Sequence, residues 1–253
     1  TSCDIRWKAR QLEDGMMFFL SNFEKTGTFE ASLRVSGRIP ELFNPVTGQI
    51  TKLARYKSEK NATRICIDIK DTSDSFFVVF RDKIQGPSVI KAQRADEEIS
   101  PGDLDLFYGP RNRLLAQTAR AGTYRLLMSD RSTRRLVIEQ GTQTFMIESP
   151  WKATQKDEKG YAVLRETTFD LPSAFGRGQR VILDLGDVSV MARVTLNGKA
   201  FDTLWMPPFT LDVTDALNRG KNKLRVLVTS TSKGKPKFGK VVLKTVTQKI
   251  VKD

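Results

Sequence analysis

A chain of 253 residues, 39% hydrophobic and 9% aromatic, can bury one large core or two smaller ones, and none of its apolar runs approaches the roughly 18–20 residues that cross a bilayer. It contains no histidine, which excludes Ser-His-Asp and Cys-His catalysis, histidine-ligated zinc and histidine general bases, and leaves carboxylates, Lys, Tyr or Ser to carry any chemistry. The formal charge of +13 comes from 42 basic residues interleaved with 29 acidic ones, and only the segment from Lys233 to Lys252 is one-sided.

The chain opens Thr1-Ser2-Cys3-Asp4, with neither an initiator Met nor an apolar leader, and reads as a piece of a longer protein. A charged stretch, Arg6-Trp7-Lys8-Ala9-Arg10, follows. Short apolar segments rich in β-branched and aromatic residues then recur, bounded by Gly, Pro, Asn, Asp or Ser, which predicts strands. They cover 15–22, 28–35, 65–69, 75–80, 122–128, 135–139 and 144–148, then 161–169, 180–185, 191–196, 224–229 and 240–247. In the segment 180–185, Val181, Leu183 and Leu185 alternate with Ile182 and Asp184, and Leu224, Val226 and Val228 repeat the device around Arg225. No stretch of 15 residues carries a helical period.

Turn chemistry points the same way. Asn197-Gly198 after Val194-Thr195-Leu196 is a tight hairpin signal, because both residues tolerate positive φ. Val46-Thr47-Gly48 after Pro45 marks another reversal, and Thr214-Asp215-Ala216-Leu217 reads as one helical turn capped by Thr214. Polar breaks lie at 82–102 and 149–160. The expected architecture is all-β, with two tandem β-sandwich domains over 1–148 and 149–253 and an internal seam near 82–102 in the first.

Catalytic constellations are weak. Glycoside hydrolysis needs two carboxylates about 5–5.5 Å or about 6.5–9.5 Å apart. Asp184 with Asp187, or Glu148 with Asp157 or Glu158, could supply the residue types, but an outward strand position and a turn account for the first pair. No catalytic residue is assigned, and no cofactor loop, CxxC pair or calcium loop is present, so no cofactor or metal is expected. Cys3 and Cys66 could pair only if the fold joined them, and Asn61-Ala62-Thr63 matches the glycosylation pattern by composition alone. Sugar contact is better provided for. Trp205, in a loop beside Met206-Pro207-Pro208, offers an aromatic platform, and Asn197 and Asp202 lie close to it in sequence as hydroxyl-binding groups. Asn197 also has the competing role of a turn residue, and Trp205 that of a plug for its own sandwich. Trp151 reads as packing between domains.

Two passages resemble a known family. Val35-Ser36-Gly37-Arg38-Ile39-Pro40-Glu41-Leu42-Phe43-Asn44-Pro45-Val46-Thr47-Gly48-Gln49-Ile50 is similar to the segment after the catalytic barrel in glycoside hydrolases of the family 106, α-L-rhamnosidase type. Met17–Asn22 and Ser75–Arg81 resemble strands of the same module. The second passage runs from Leu183-Asp184-Leu185-Gly186 through Leu196-Asn197-Gly198-Lys199, Pro207-Pro208-Phe209 and Gly220-Lys221-Asn222-Lys223-Leu224. It resembles the galactose-binding-like jelly roll of rhamnosidases and of family 2 glycosidases. The chain departs from the pattern where the family's Trp-Asp becomes Phe43-Asn44, and in its ending, Ser230-Thr231-Ser232-Lys233-Gly234-Lys235.

The resemblance implies a jelly roll for the second domain and a non-catalytic accessory region of a larger hydrolase. It implies partners too, a catalytic barrel upstream of Thr1 and plant or microbial polysaccharide, and a secreted or periplasmic bacterial location; no membrane partner is expected. Two other readings stand beside it. One is a free-standing carbohydrate-binding module, and the other is polyanion or nucleic-acid binding through the Lys-rich C-terminal segment, for which no recognised motif is present.

Overall fold

A computed structural model describes residues 5–21, 24–72, 74–231 and 236–252. The described residues are nearly all β, with short 3-10 turns at Pro110–Asn112 and Thr214–Ala216. None of their helices is long and apolar enough to cross a membrane. The chain forms two compact units, one of Thr1–Gln140 with Gln248–Asp253 and one of Gly141–Thr247.

The first unit contains β1 (Arg6–Gln11), β2 (Met16–Ser21), β3 (Gly27–Leu33), β4 (Arg38–Phe43), β5 (Ile50–Leu53), β6 (Tyr56–Ser58) and β7 (Thr63–Ile69). It continues with β8 (Ser75–Lys83), β9 (Val89–Arg94), β10 (Glu97–Glu98), β11 (Asp105–Tyr108), β12 (Leu114–Thr118), β13 (Gly122–Met128) and β14 (Thr133–Ile138). A long antiparallel sheet runs β1-β2-β8-β4-β5-β11-β12, and two short sheets, β3-β7-β6 and β10-β9-β13-β14, complete the layers. Strand β7 shows why these sequences become strands: Ile65, Ile67 and Ile69 are buried, whereas Arg64, Cys66 and Asp68 alternate outward. The isoleucines meet Phe18, Phe29, Leu33, Val78 and Phe80 in one core, with Phe18 edge-on to Phe80 at 6.1 Å. A second core gathers Val89, Ala92, Leu106, Leu114, Tyr124, Leu126, Met128 and Ile138, with Val251 from the chain's end. Each fully buried side chain of this size contributes about 1.5–3 kcal/mol. The polar stretch 82–102 holds β9 and β10; Val89 and Ala92 both turn inward although three positions apart, because a bulge in the pairing with β13 breaks the simple alternation. On edge strand β1, Arg6, Lys8 and Arg10 occupy alternate positions, which discourages pairing with another chain.

The hairpin β4–β5 turns on two polar residues. Asn44 Oδ1 accepts the amides of Val46 at 2.9 Å and Thr47 at 3.2 Å, and Gly48 takes the positive φ of 69° that closes the turn. The Asn-for-Asp departure therefore retains the acceptor this turn uses. Glu41, 4% exposed, accepts from Arg81 Nη2 at 2.9 Å and Nε at 3.2 Å, with Lys52 Nζ 3.8 Å away on its other oxygen. Arg81 also lies 5.2 Å from the Phe43 ring centroid, so the smaller aromatic still serves as its platform.

The second unit is a two-layer antiparallel sandwich. Its strands are β15 (Thr144–Met146), β16 (Lys152–Lys156), β17 (Ala162–Leu171), β18 (Arg180–Asp184), β19 (Met191–Leu196), β20 (Lys199–Ala200), β21 (Thr210–Asp212), β22 (Gly220–Thr229) and β23 (Val242–Ile250), the last of which ends in residues of the first unit. One layer runs β16-β17-β22-β19-β20; in the other, β23 pairs with β15 and β18, and β18 with β21. Leu183, Ala192, Val194, Leu224, Val226, Val228 and Leu243 fill the space between them. Trp151 packs against Phe238 of the same unit, with centroids 4.8 Å apart. Thr214 does not cap the helical turn, whose N-cap is Val213; its hydroxyl instead accepts the Val181 amide at 2.8 Å and donates to Asp212 Oδ1 at 2.6 Å. Cys3, Asn22, Lys233 and Lys235 lie outside the described residues.

Two motifs that are separate in sequence form a single clasp. Asn197 and Gly198 adopt φ values of 51° and 86°, the geometry of a tight hairpin. Asn197 Nδ2 donates to Asn222 Oδ1 at 2.7 Å and to Ala216 O at 2.8 Å, and its Oδ1 accepts the Lys223 amide at 2.8 Å. Asn222, 1% exposed, also accepts the Asn218 amide and donates to the carbonyls of Asn218 and Gly220.

We expect Asn222→Ala to destabilise the second unit by about 2–3 kcal/mol, since it leaves buried amides and carbonyls without partners. In a double-mutant cycle with Asn197→Ala, read by urea unfolding, the losses should fall short of additivity by at least about 0.5 kcal/mol. Additive losses would show the two amides to act independently. In the first unit, Arg81→Met should cost about 2–3 kcal/mol by stranding the Glu41 carboxylate, and Arg81→Met with Glu41→Leu should recover most of it.

Candidate functional site

The loop from Phe201 to Phe209 is held by the buried apolar residues Leu204 and Phe209. Leu204 exchanges two backbone bonds of 2.8 Å with Ala192, and Phe209 accepts the Leu185 amide at 3.1 Å. Between these anchors Trp205 remains 50% exposed, and Asp202 is exposed on the same loop. Trp205 thus has the position of a platform on a rigid mount. Of the three sequence candidates, Trp205 and Asp202 share this loop. Asn197 sits on the preceding turn, with both amide protons used inside the clasp.

Two of the carboxylates weighed for catalysis, Asp184 and Asp157, have structural partners. Asp184 accepts from Lys244 Nζ at 2.8 Å and from the Gly186 amide at 2.9 Å, and Asp157 accepts the Ala162 amide at 2.6 Å. No group of three or more His, Cys, Asp or Glu that could hold a metal occurs among the described residues. Burial raises the thiol pKa of half-buried Cys66, opposing the thiolate. Part of the Lys-rich segment, Val242–Ile250, is strand β23, in which Lys244 pairs with Asp184 and Lys249 Nζ donates to Val137 O at 3.0 Å.

Sequence reasoning missed a second concavity, which belongs entirely to the first unit. This cavity, about 670 Å³, is lined by Tyr56, Tyr108, Arg111, Arg113, Arg134 and Lys252 over an apolar floor that includes Ile39, Leu114 and Val251. Its rim is the turn 109–113, closed by Gly109 N to Arg113 O at 2.9 Å and by the Asn112 amide donating to Gln85 Oε1. Tyr56 is 3% exposed and its hydroxyl has no hydrogen-bond partner. Leaving such a group unpaired costs about 1–3 kcal/mol. Burial and the neighbouring Tyr108 phenol push the Tyr56 hydroxyl above the usual tyrosine range, so it stays protonated and can donate. The one signal in the sequence was the basic turn Gly109-Pro110-Arg111-Asn112-Arg113; nothing in local spacing places Ile250–Lys252 beside it.

No protein-family model matches the chain. A stretch of 48 residues, 19% of this chain and 4% of the other protein, is 58% identical to a "Putative beta-glucuronidase" of Formosa agariphila. The fold is similar to that of a solved rhamnosidase from Novosphingobium sp. PP1Y, with a TM-score of 0.58 and 20% identity over 97% of this chain and 24% of the other. A β-glucuronidase of an uncultured Clostridium sp. gives a TM-score of 0.34 at 19% identity, covering 44% of this chain and 30% of the other. The chain's fold is therefore like that of part of the Novosphingobium rhamnosidase, and the chain spans a small fraction of the length of either first relative.

Because Trp205 projects from anchors that do not depend on it, Trp205→Ala should change stability by less than about 1 kcal/mol. Thermal unfolding checks this. A larger loss would identify Trp205 as a packing residue.

Proposed function

We propose that this chain is the non-catalytic, carbohydrate-associated region of a larger glycoside hydrolase of the family 106, α-L-rhamnosidase-like type. The observation carrying this reading is the fold likeness, which takes in nearly all of this chain but only a quarter of a rhamnosidase. The Asx turn at Asn44 and the Asn197–Asn222 clasp supply structural reasons for the two motifs that carry the sequence resemblance. The second unit is read as a galactose-binding-like jelly roll and the parent protein as secreted or periplasmic.

Two surfaces give this role physical content. Trp205, with Asp202 on the same loop, is suited to stack on the apolar face of a sugar and bond its hydroxyls. In the first unit, Trp7 on edge strand β1 is 68% exposed and borders an apolar groove with Ile5, Ala9, Met16 and Ala31. Packing of the parent's catalytic barrel on this groove would cover a large aromatic that otherwise faces water.

The full chain should hydrolyse neither aryl rhamnosides nor aryl glucuronides. It should be retarded in gels containing polysaccharide, and Trp205→Ala should abolish that retardation. Turnover that disappears on replacing one of its own carboxylates would sink the non-catalytic reading. An absence of retardation across a broad panel of glycans would sink the sugar contact.

A further inference from the structure

Charge is distributed unevenly over the cavity of the first unit. Its charged lining residues are Arg111, Arg113, Arg134 and Lys252, and no Asp or Glu is among them. Elsewhere in this unit basic side chains answer acidic ones: Arg81 pairs with Glu41, Arg64 with Glu30 and Glu59, and Arg55 with Glu98. Arg111 and Arg113 have no carboxylate partner among the described residues, and both project from the turn that forms the rim. That turn holds Arg111 and Asn112 at φ values of 58° and 54°, a left-handed conformation that Arg rarely adopts. Strain of this kind persists where surrounding structure enforces it, and it gathers at ligand sites.

The buried end of the cavity adds a second, independent observation. Tyr56 cannot retreat from its position: its strand pairs with β7 at Ile65, and its carbonyl accepts from Ser88 Oγ at 2.8 Å. Its hydroxyl is nonetheless left without an acceptor inside the protein. The neighbouring Tyr108 hydroxyl donates to Pro87 O at 3.2 Å. The cavity therefore offers positive charge and hydrogen-bond donors at its rim, a buried tyrosine hydroxyl beneath them, and no carboxylate among its described lining residues. Its volume falls within the range of about 300–1,000 Å³ typical of small-ligand sites. Apolar floor residues and a half-buried Tyr108 give it a face for a ring as well as a place for a charge.

We propose that this cavity binds an anionic sugar unit, a uronate or a sulfated residue, with Arg111 and Arg113 engaging the charged group and Tyr56 donating to an acceptor on the same ligand. The inference rests on the carbohydrate reading above for the class of ligand, and on the cavity itself for the sign of its charge. It concerns a site in the other unit from the Trp205 loop.

Calorimetric titration of the full chain tests it with oligogalacturonate, a sulfated oligosaccharide, a neutral oligosaccharide of equal length, and inorganic sulfate. At least one acidic oligosaccharide should bind at least tenfold more tightly than the neutral one, with affinity falling as salt rises. Arg111→Ala with Arg113→Ala should weaken that binding at least tenfold, and Trp205→Ala should leave it unchanged. Tyr56→Phe provides the discriminating variant, because removing an unsatisfied buried hydroxyl should leave the unliganded protein's melting temperature unchanged or raised while weakening the acidic ligand. Equal affinity for neutral and acidic oligosaccharides, or binding indifferent to Arg111, Arg113 and Tyr56, overturns the proposal. Binding of inorganic sulfate with no saccharide overturns the assignment to sugars. Loss of acidic-sugar binding alone, with Trp205-dependent retardation intact, refutes this inference and leaves the accessory role standing.

Discussion

A buried polar group forces its surroundings into whatever arrangement satisfies it, and this constraint governs the loops of both units. Asn222 is nearly inaccessible and fixes the entry to its strand, the turn at Asn197 and the carbonyl of Ala216 in a single hydrogen-bonded knot. Glu41 does the corresponding work in the first unit, where Arg81 and Lys52 converge on it from the two strands flanking its own. Apolar burial is non-directional and would tolerate several loop paths over the same core. Saturated polar groups select one of them. Tyr56 stands out against this background, because it is as deeply buried as they are and its hydroxyl is unanswered.

The sandwich character was legible from alternation and turn chemistry, and the segments 122–128 and 191–196 coincide with β13 and β19. Strands whose pattern is charged or very short escaped. Lys152–Lys156 is an exposed edge strand with no apolar face of its own, and in Arg6–Gln11 Trp7 and Ala9 alternate with charged residues over too short a run to register. Ile50–Leu53 and Thr210–Asp212 are too short for a period to register. The clasp shows a different limit. Each of its motifs was visible, but the hydrogen bond joining Asn197 to Asn222 spans 25 positions, and one sequence offers no means of pairing them.

The sites divide along similar lines. A lone Trp in a Pro-bounded loop can be singled out from sequence, and the structure leaves Trp205 half in water on a braced loop. A cavity assembled from residues 39, 56, 85–87, 108, 111–114, 134 and the last few described positions has no linear signature. The basic segment near the C-terminus misleads in the opposite direction. Read along the chain it is a run of like charge, yet in the fold Lys244 and Lys249 are anchored to an acidic side chain and a carbonyl.

The division of the chain into Gly141–Thr247 and two flanking pieces has a consequence for how the protein comes into being. The first unit draws Val251 into its core, and the Val251 amide bonds to the Leu114 carbonyl at 2.9 Å. A ribosome delivers that residue only after every amino acid of the second unit has been made. The earlier-born half must therefore wait, its core one side chain short, until the later-born half has passed by, and a single cut at residue 140 does not yield two whole pieces.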